Sequence, residues 1–433
     1  MSVERAILVT VQLDPRFFKG DSLWSLADEA TELHELAISA GCQVVGQLSA
    51  KRHRPIAGTF LGSGKLQEIA EQVSKQRAQV VIMNQELSPA QQRNIEDLLE
   101  VKTIDRTQLI LDIFAQRARS QEGKIQVELA QLRYLLPRLV GKGIMLSRLG
   151  GGIGTRGPGE QKLEMDRRRH REHISRLVHD LEKLDKRREA IRARRKEIGL
   201  PVAALVGYTN AGKTTLLNRL TGQIHLARNQ LFTTLDPLAR RIRFPNGEFV
   251  IVTDTVGFLH HLPHHLIEAF KATLEEARDA DVLIHLLDVS HPLVFEHARA
   301  VSDVLSQLKL NDKPILNALN KCDQLAPDSK SESLEGLYAP AVAISAKTGQ
   351  GIDRLLDRLG KQLDLSLYEP MTLRIPIERA DVVANLYQSA QVLKRQVTDT
   401  TIELTVRVPT NLRPMVLAYL KGDDANDKGK IQA

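Results

Sequence analysis

A chain of 433 residues, 42% hydrophobic and 26% charged, has room for roughly three domains and the composition of an ordinary globular protein. Its two cysteines, Cys42 and Cys322, stand far apart and argue against both a disulfide framework and a cysteine metal site, as suits a reducing cytosol. No stretch approaches the ~20 apolar residues of a membrane span, and "MSVERAILVTVQLD" carries charges where a signal peptide needs an apolar run, so the expected location is cytoplasmic.

The formal net charge is +7, and its location is more informative than its size. Arg117 to Gly159 holds eight Lys/Arg against two Asp/Glu, and Glu160 to Ile198 holds fourteen against nine. These two stretches exceed the charge of the whole chain, so the remainder is acidic. Basic charge gathered in one internal segment favours a polyanionic partner over general solubility.

Residues 1–105 alternate strand and helix patterns. In order they are "AILVTVQL", a helix through "LADEATELHELAISAG", "CQVVGQLSA", a helix near "GKLQEIAEQVSKQ", "QVVIMN", a helix opened by "SPAQQRNIEDLL", and "VKTID". Such alternation predicts a small parallel α/β domain. Within it, "GTFLGSGKL" imitates a phosphate-binding loop. Thr59 stands where the first glycine is required and Leu66 where a hydroxyl should ligate Mg²⁺, so a tight turn opening a helix is the better reading.

Residues 106–199 read as a helical hairpin. The first arm carries Leu109, Ile113, Leu129, Leu132 and Leu136, and Pro137 should kink or end it. The tip, about 141–159, holds Gly150, Gly151, Gly152, Gly154, Gly157 and Gly159 and fits neither a helix nor a central strand. The second arm starts near Glu160, with Leu163, His170, Leu177, Leu184, Ile191 and Ile198 at seven-residue spacing and Ile174 and Leu181 between. Arg167, Arg188 and Arg195 interrupt that seam. At 1.5 Å per residue the arm would extend roughly 58 Å.

A strand–helix rhythm returns over 200–365. A small α+β unit follows over 366–420: strand "MTLRIPIE", helix "ANLYQSAQVLKRQ", strand "TIELTVRVP" and helix "NLRPMVLAYL". The polar tail 421–433 is expected to be disordered. The predicted fold class is therefore α/β, with an N-terminal parallel α/β domain, a long basic hairpin, a nucleotide-binding α/β domain and a small α+β C-terminal domain.

In "VAALVGYTNAGKTTLLNRL", Gly207-x4-Gly212-Lys213-Thr214 matches the P-loop pattern between a strand and a helix. Backbone N–H groups over Gly207, Asn210, Ala211, Gly212 and Thr215 would wrap the phosphates. Lys213 would reach the β- and γ-phosphates, Thr214 would ligate Mg²⁺, and the helix dipole would favour the anion. Further on, Asn320-Lys321-Cys322-Asp323 places a carboxylate, Asp323, that can accept both guanine N1–H and the exocyclic amine. Asn320 would brace the site, the Lys321 stem would cover the base, and Ser345-Ala346-Lys347 would meet the guanine oxygen. Together these select GTP/GDP over ATP. "VTDTVG" adds Asp254 for Mg²⁺ and Gly257 to sense the γ-phosphate. In "LFTTLDP", Thr234 is the chosen switch threonine over Mg²⁺ and Thr233 the fallback.

The loop "GGIGTRGPGE", the helix "QVELAQLRYLLPRL", and "GYTNAGKTT", "FTTLDP" and "DTVGF" together resemble the HflX family of ribosome-associated GTPases, over nearly the whole chain. The resemblance implies a GTP hydrolase that binds the large ribosomal subunit, is stimulated by it and splits stalled ribosomes in stress. Two departures are local: "GPGEQKLE" stands where "GPGETQLE" is the family form, changing Gln161 and Lys162, and Thr214 replaces the more usual serine. A basic hairpin with a bare glycine tip suits rRNA, with Arg148, Gly151, Gly152 and Arg156 the candidate contacts. Scarce aromatics favour backbone and shape recognition. A monomer is the simplest expectation.

Many GTPases follow the Asp-x-x-Gly turn with a water-orienting glutamine, and this chain has Phe258. Slow intrinsic hydrolysis is expected, with Lys213, Thr234 and Gly257 as the catalytic set. Three replacements for the glutamine stay open: a partner that completes the site, K⁺ held near Asn210, or a water oriented by His260 or His261. His260, His261, His264 and His265 lack defined metal-ligand spacing and are read as a non-metal cluster. The alternative to the whole reading is an RNA-binding or RNA-remodelling module in which GTP is a structural ligand.

Overall fold

The computed structural model describes residues 3–14, 24–141, 158–222, 231–232, 238–244, 249–260, 271–325, 331–363, 371–398, 400–408 and 413–420. Residues 142–157 of the predicted tip loop, Thr233 and Thr234, His261, His264 and His265, and the C-terminal tail lie outside these residues, while Gly159 already belongs to a helix that starts at Pro158.

The first sheet is wholly parallel, in the order β2–β1–β3–β4, from strands Arg5–Leu13 (β1), Gln43–Arg52 (β2), Val80–Met83 (β3) and Lys102–Asp105 (β4). β1 buries its middle continuously because helices cover both faces. Alternate residues divide between two layers. Ala6 and Leu8 meet helix α1 (Leu26–Ser39), whereas Ile7, Val9 and Val11 meet α2 (Ser63–Gln76) and α3 (Pro89–Leu99). Reciprocal capping boxes, Ser25 with Asp28 and Ser88 with Gln91, fix the starts of α1 and α3. The false phosphate loop opens α2, with Gly62 at the N-cap in ordinary extended backbone.

Helix α4 (Arg106–Arg117) grows from the end of β4, capped by Asp105. Helix α5 (Gln121–Leu135) passes into a 3-10 turn, Leu136–Gly141, that contains Pro137, as a proline interruption requires. Helix α6 runs from Pro158 to Ile198, 41 residues. Glu122 pairs with Arg188 and Glu128 lies 3.4 Å from His173, so α5 and α6 are antiparallel. Leu177 of the predicted seam is buried, but Ile191 is 53% exposed. Fifteen residues of α5 are too few to cover the 41 of α6, so the heptad pattern is buried only in part. Arg138 anchors the root of the arm: its guanidinium lies 3.4 Å over the Tyr134 ring, donates to Leu87 O at 2.7 Å and pairs with buried Asp105 at 3.2 Å.

The second sheet has the order β10–β9–β8–β5–β7–β6. Its strands are Val202–Gly207 (β5), Leu238–Arg243 (β6), Phe249–Asp254 (β7), Val282–Asp288 (β8), Ile315–Asn320 (β9) and Ala341–Ala343 (β10); only the edge strand β6 is antiparallel. Helices α7 (Lys213–Thr221), α8 (Lys271–Asp279), α9 (Val294–Gln307), α10 (Ser331–Leu337) and α11 (Ile352–Gln362) accompany it. One apolar core joins the two sheets: Leu33, Leu36, Ile110 and Phe114 from the first unit share it with Val206, Leu231, Phe232, Val256 and Phe258 from the second.

The C-terminal unit corrects one expectation. The helix predicted over "ANLYQSAQVLKRQ" begins earlier, as α12 (Ala380–Ser389), and Gln391–Val397 is a strand, β12. It pairs with β13 (Thr401–Arg407) through a turn in which Thr398 N–H donates to Thr401 O at 2.9 Å, and β13 also pairs with β11 (Met371–Pro376). Hairpin pairing overrides the local helix preference of "QVLKRQ". The last predicted helix is one turn, α13 (Arg413–Val416), followed by the 3-10 turn Leu417–Tyr419. Among the described residues no helix is long and apolar enough to cross a membrane.

Candidate nucleotide site

The site lies at the C-terminal ends of β5, β7, β8 and β9, where the parallel sheet leaves a crevice for ligands. Gly207 closes β5, Asn210 adopts φ 62° and Gly212 φ +99°, and α7 starts at Lys213. This left-handed pair turns successive N–H groups toward one concavity, an anion-binding geometry. Lys213 is buried, and its ammonium donates to Gly207 O at 3.0 Å and Tyr208 O at 2.9 Å. Burial pulls its pKa down to about 8, with Asp254 opposing the shift. An ammonium bonded only to backbone carbonyls, beside a cradle of N–H donors, suits a phosphate.

The Thr214 hydroxyl donates to Asp254 Oδ2 at 2.8 Å, so the two oxygens named for Mg²⁺ face each other. Two hard oxygen donors next to a polyphosphate cradle fit Mg²⁺. Gly257 packs so closely on the P-loop that an added Cβ would stand 2.8 Å from Thr209 Cα and 3.1 Å from Lys213 Nζ. Only glycine permits so close an approach to the P-loop.

The base side assembles as well. Asn320 donates to Ala211 O at 2.7 Å and accepts from Ala346 N–H at 2.9 Å, tying the P-loop to the Ser345-Ala346-Lys347 turn. Ser345 accepts from Thr348 N–H at 3.1 Å and is fully buried. Lys321 takes a left-handed φ of 64° and its ammonium pairs with Asp288 at 2.6 Å. Asp323 sits exposed in the 3-10 turn Cys322–Gln324.

Several contributors carry no local sequence signal. Arg219 of α7 donates to the backbone oxygens of Ala346 and Lys347 and holds the base loop. Trp24, Glu32 and Arg106 reach the site from the first unit, through contacts that close only in three dimensions.

Phe258 forms a parallel bridge with Tyr208: its N–H donates to Gly207 O at 3.1 Å and its carbonyl accepts from Thr209 N–H at 2.8 Å. Its ring is 1% exposed, inside the core shared by both sheets. Position 258 therefore supplies an apolar anchor and no group for a water. His260 follows the same segment inward. Its ring stacks on Trp24 at 4.3 Å, its N–H donates to the Tyr208 hydroxyl at 3.0 Å, and its carbonyl accepts from Arg106 at 2.6 Å. Arg106 also pairs with Glu32 at 2.6 Å, and the Tyr208 ring stacks on His297 at 3.8 Å. Burial pushes His297 down to about 3, so that stack is neutral. Leu231 and Phe232, just before the predicted switch threonines, are held likewise: Leu231 N–H donates to Ser39 and Phe232 meets Phe114 edge-on at 4.5 Å. The candidate RNA residues Arg148, Gly151, Gly152 and Arg156 lie outside the described residues. Among those described, no cluster of three or more His, Cys, Asp or Glu could hold a metal.

The chain is similar along its length to known proteins. Four family models match in succession: GTP-binding GTPase N-terminal over residues 27–115, GTP-binding GTPase Middle Region over 117–195, 50S ribosome-binding GTPase over 202–321 and HflX C-terminal domain over 336–413. The GTPase HflX of Caldanaerobacter subterraneus is 45% identical over 423 residues, 96% of this chain and 94% of that one. The GTPase HflX of Escherichia coli is 44% identical over 384 residues, 88% and 90% of the two chains. A solved GTP-binding protein from Sulfolobus solfataricus in complex with GDP is 26% identical, with 84% of this chain and 99% of that one covered, at a TM-score of 0.43.

Proposed function

The chain belongs to the HflX family of GTPases and is a P-loop GTP hydrolase, and from that premise we propose that it is a slow enzyme completed by the large ribosomal subunit, coupling GTP to the splitting or rescue of stalled ribosomes. The observation that carries this reading is the seat of Phe258. Where a water-orienting side chain is expected, the ring is buried, and the backbone is zipped to the P-loop. A site lacking that group hydrolyses slowly until another molecule supplies or orders one.

The chain's own residues prepare the rest. Lys213 and the P-loop N–H groups hold the phosphates, Asn320, Asp323 and Ala346 select guanine, and Thr214, Asp254 and Thr234 would hold Mg²⁺. The metal would neutralise charge on the β- and γ-phosphates. K⁺ held near Asn210 would add a further positive charge beside the phosphates. The 50S ribosome-binding description of the matched family model supports the choice of partner, and the basic arm supplies the means: rRNA phosphates would meet its arginines, with Arg148 and Arg156 at the glycine tip. The protein would act as a cytoplasmic monomer.

The test is GTP turnover with and without purified large subunits, in potassium and in sodium buffer, followed by gradient sedimentation of whole ribosomes. Slow basal turnover that rises at least tenfold with subunits, and whole ribosomes parted with GTP but not GDP, are expected. Turnover indifferent to subunits, with RNA affinity equal in GTP and GDP, would replace the ribosome-completed enzyme by an RNA-binding module that keeps GTP as a structural ligand.

A further inference from the structure

The arginines that make α6 basic are not all directed at a polyanion. Arg188, Arg192 and Arg195, spaced by four and three, share one helical face. That face is seated on the acidic side of α8. Arg192 lies 3.2 Å from Glu275 and 2.7 Å from Asp279, and Arg195 lies 3.9 Å from Glu276. Arg188, in the same electrostatic field, closes the other end of the row by pairing with Glu122 of α5. The contact is largely shielded: the Arg192 and Glu275 side chains are 21% and 13% exposed.

The position of α8 gives the row its meaning. The segment bearing Asp254, Gly257 and Phe258 is held on one side by β7 and leads on the other into α8. Leu274 and Ala277 of α8 occupy the same core as Val256, Phe258 and Leu259. A displacement of α8 would therefore disturb the core in which the phosphate-sensing turn is seated, and α6 is tied to α8 by these ion pairs.

We propose that Arg192, flanked by Arg188 and Arg195, is a positioning residue that locks the basic arm to the helix following the phosphate-sensing turn, so that the state of the nucleotide is felt along α6 and engagement of the arm is felt at the nucleotide. The ribosomal part of this inference rests on the function proposed above; the coupling between α6 and the nucleotide does not.

The experiment is hydrogen exchange of the full chain with GDP and with a non-hydrolysable GTP analogue, in wild type, Arg192→Glu, Asp279→Arg and the doubly exchanged Arg192→Glu/Asp279→Arg. In wild type, amides of residues 185–195 change exchange rate about threefold or more between nucleotides. Either single variant loses that difference, and the charge exchange restores it. Nucleotide binding reports folding, and Arg192→Gln carries the same readout should the reversed charge unfold the chain.

Indifference of residues 185–195 to nucleotide in wild type would overturn the lock. So would persistence of the difference in Arg192→Glu, or its loss in the single variant without restoration by the exchange. Turnover with purified large subunits is then read on the same proteins. Stimulation falls in each single variant and returns in the exchanged pair, while subunit binding by sedimentation stays within about twofold. If wild type is not stimulated, the proposed function fails, and hydrogen exchange alone decides the lock.

Discussion

Two turns in this molecule place Gly-Lys at the start of a helix, and they end in different electrostatic worlds. In the first, Gly62 caps α2 with φ −75°, and Lys65 points along its own helix to Glu68 at 2.9 Å. In the second, Gly212 takes φ +99°, and Lys213 is buried against Gly207 O and Tyr208 O. Asn320 then ties that loop to the far side of the sheet. A phosphate site thus needs more than the Gly-Lys pair: a left-handed loop that converges N–H groups, and a lysine with no carboxylate to neutralise it within its own turn.

The comparison is broken most sharply at the two lysines. Lys213→Met removes a cation from both outer phosphates, and at roughly 1.5–3 kcal/mol per charged hydrogen bond GTP affinity should fall about 100-fold or more. Lys65→Met should leave it unchanged. Titration with a fluorescent GTP analogue measures both, and equal losses would make the first turn a second phosphate site. The two glycines come next. Gly257→Ala drives a Cβ to 2.8 Å from Thr209 Cα, a backbone atom that cannot step aside. Turnover should drop roughly tenfold to 100-fold while GDP binding is kept, because the lost N–H contact belongs to the γ-phosphate.

How much of this was legible depends on range. The P-loop, Asp254, Gly257 and the Asn320 and Ser345 motifs are short runs whose geometry is local, and the structure brings them together as the spacing implied. The parallel first sheet was legible from its strand–helix period. The strand Gln391–Val397 was not, because its partner Thr401–Arg407 decides its state and the segment itself reads as a helix former. The Trp24, Arg106, Tyr208 and His260 contacts were hidden for the same reason: Arg106 and His260 are 154 residues apart in sequence. The charge count also misled in one respect. It includes Arg188, Arg192 and Arg195, which intramolecular carboxylates hold.

Acidity sharpens the contrast further. Burial lowers Lys213 from 10.5 to about 8, so above pH 8 the nucleotide-free site is largely neutral. Phosphates favour the charged form, so the bound lysine stays protonated. Binding at pH 9 should take up close to one proton and binding at pH 7 almost none, and affinity should weaken by up to about tenfold per pH unit above 8. Calorimetry in buffers of different ionisation enthalpy measures the uptake. The sign matters: proton release, or no linkage, would mean that the free lysine keeps its charge despite burial. Lys213→Met should abolish the uptake, and Lys65→Met should preserve it.

The smallest expected effect is the most discriminating for the first turn. Gly64 lies in the opening turn of α2, and a Cβ added there meets nothing within 4 Å. If the turn only starts a helix, Gly64→Ala lowers the entropy of the unfolded chain and should stabilise it by up to roughly 0.5–1 kcal/mol, raising Tm by a few degrees at most. If instead the turn cradles an anion, the same methyl group would crowd the ligand, and binding of any nucleotide there would weaken while Tm without nucleotide still rose. Thermal melts with and without ATP separate the two cases. A gain in Tm unaffected by ATP is expected, because Lys65 is already engaged by Glu68 and Leu66 supplies no hydroxyl for a metal.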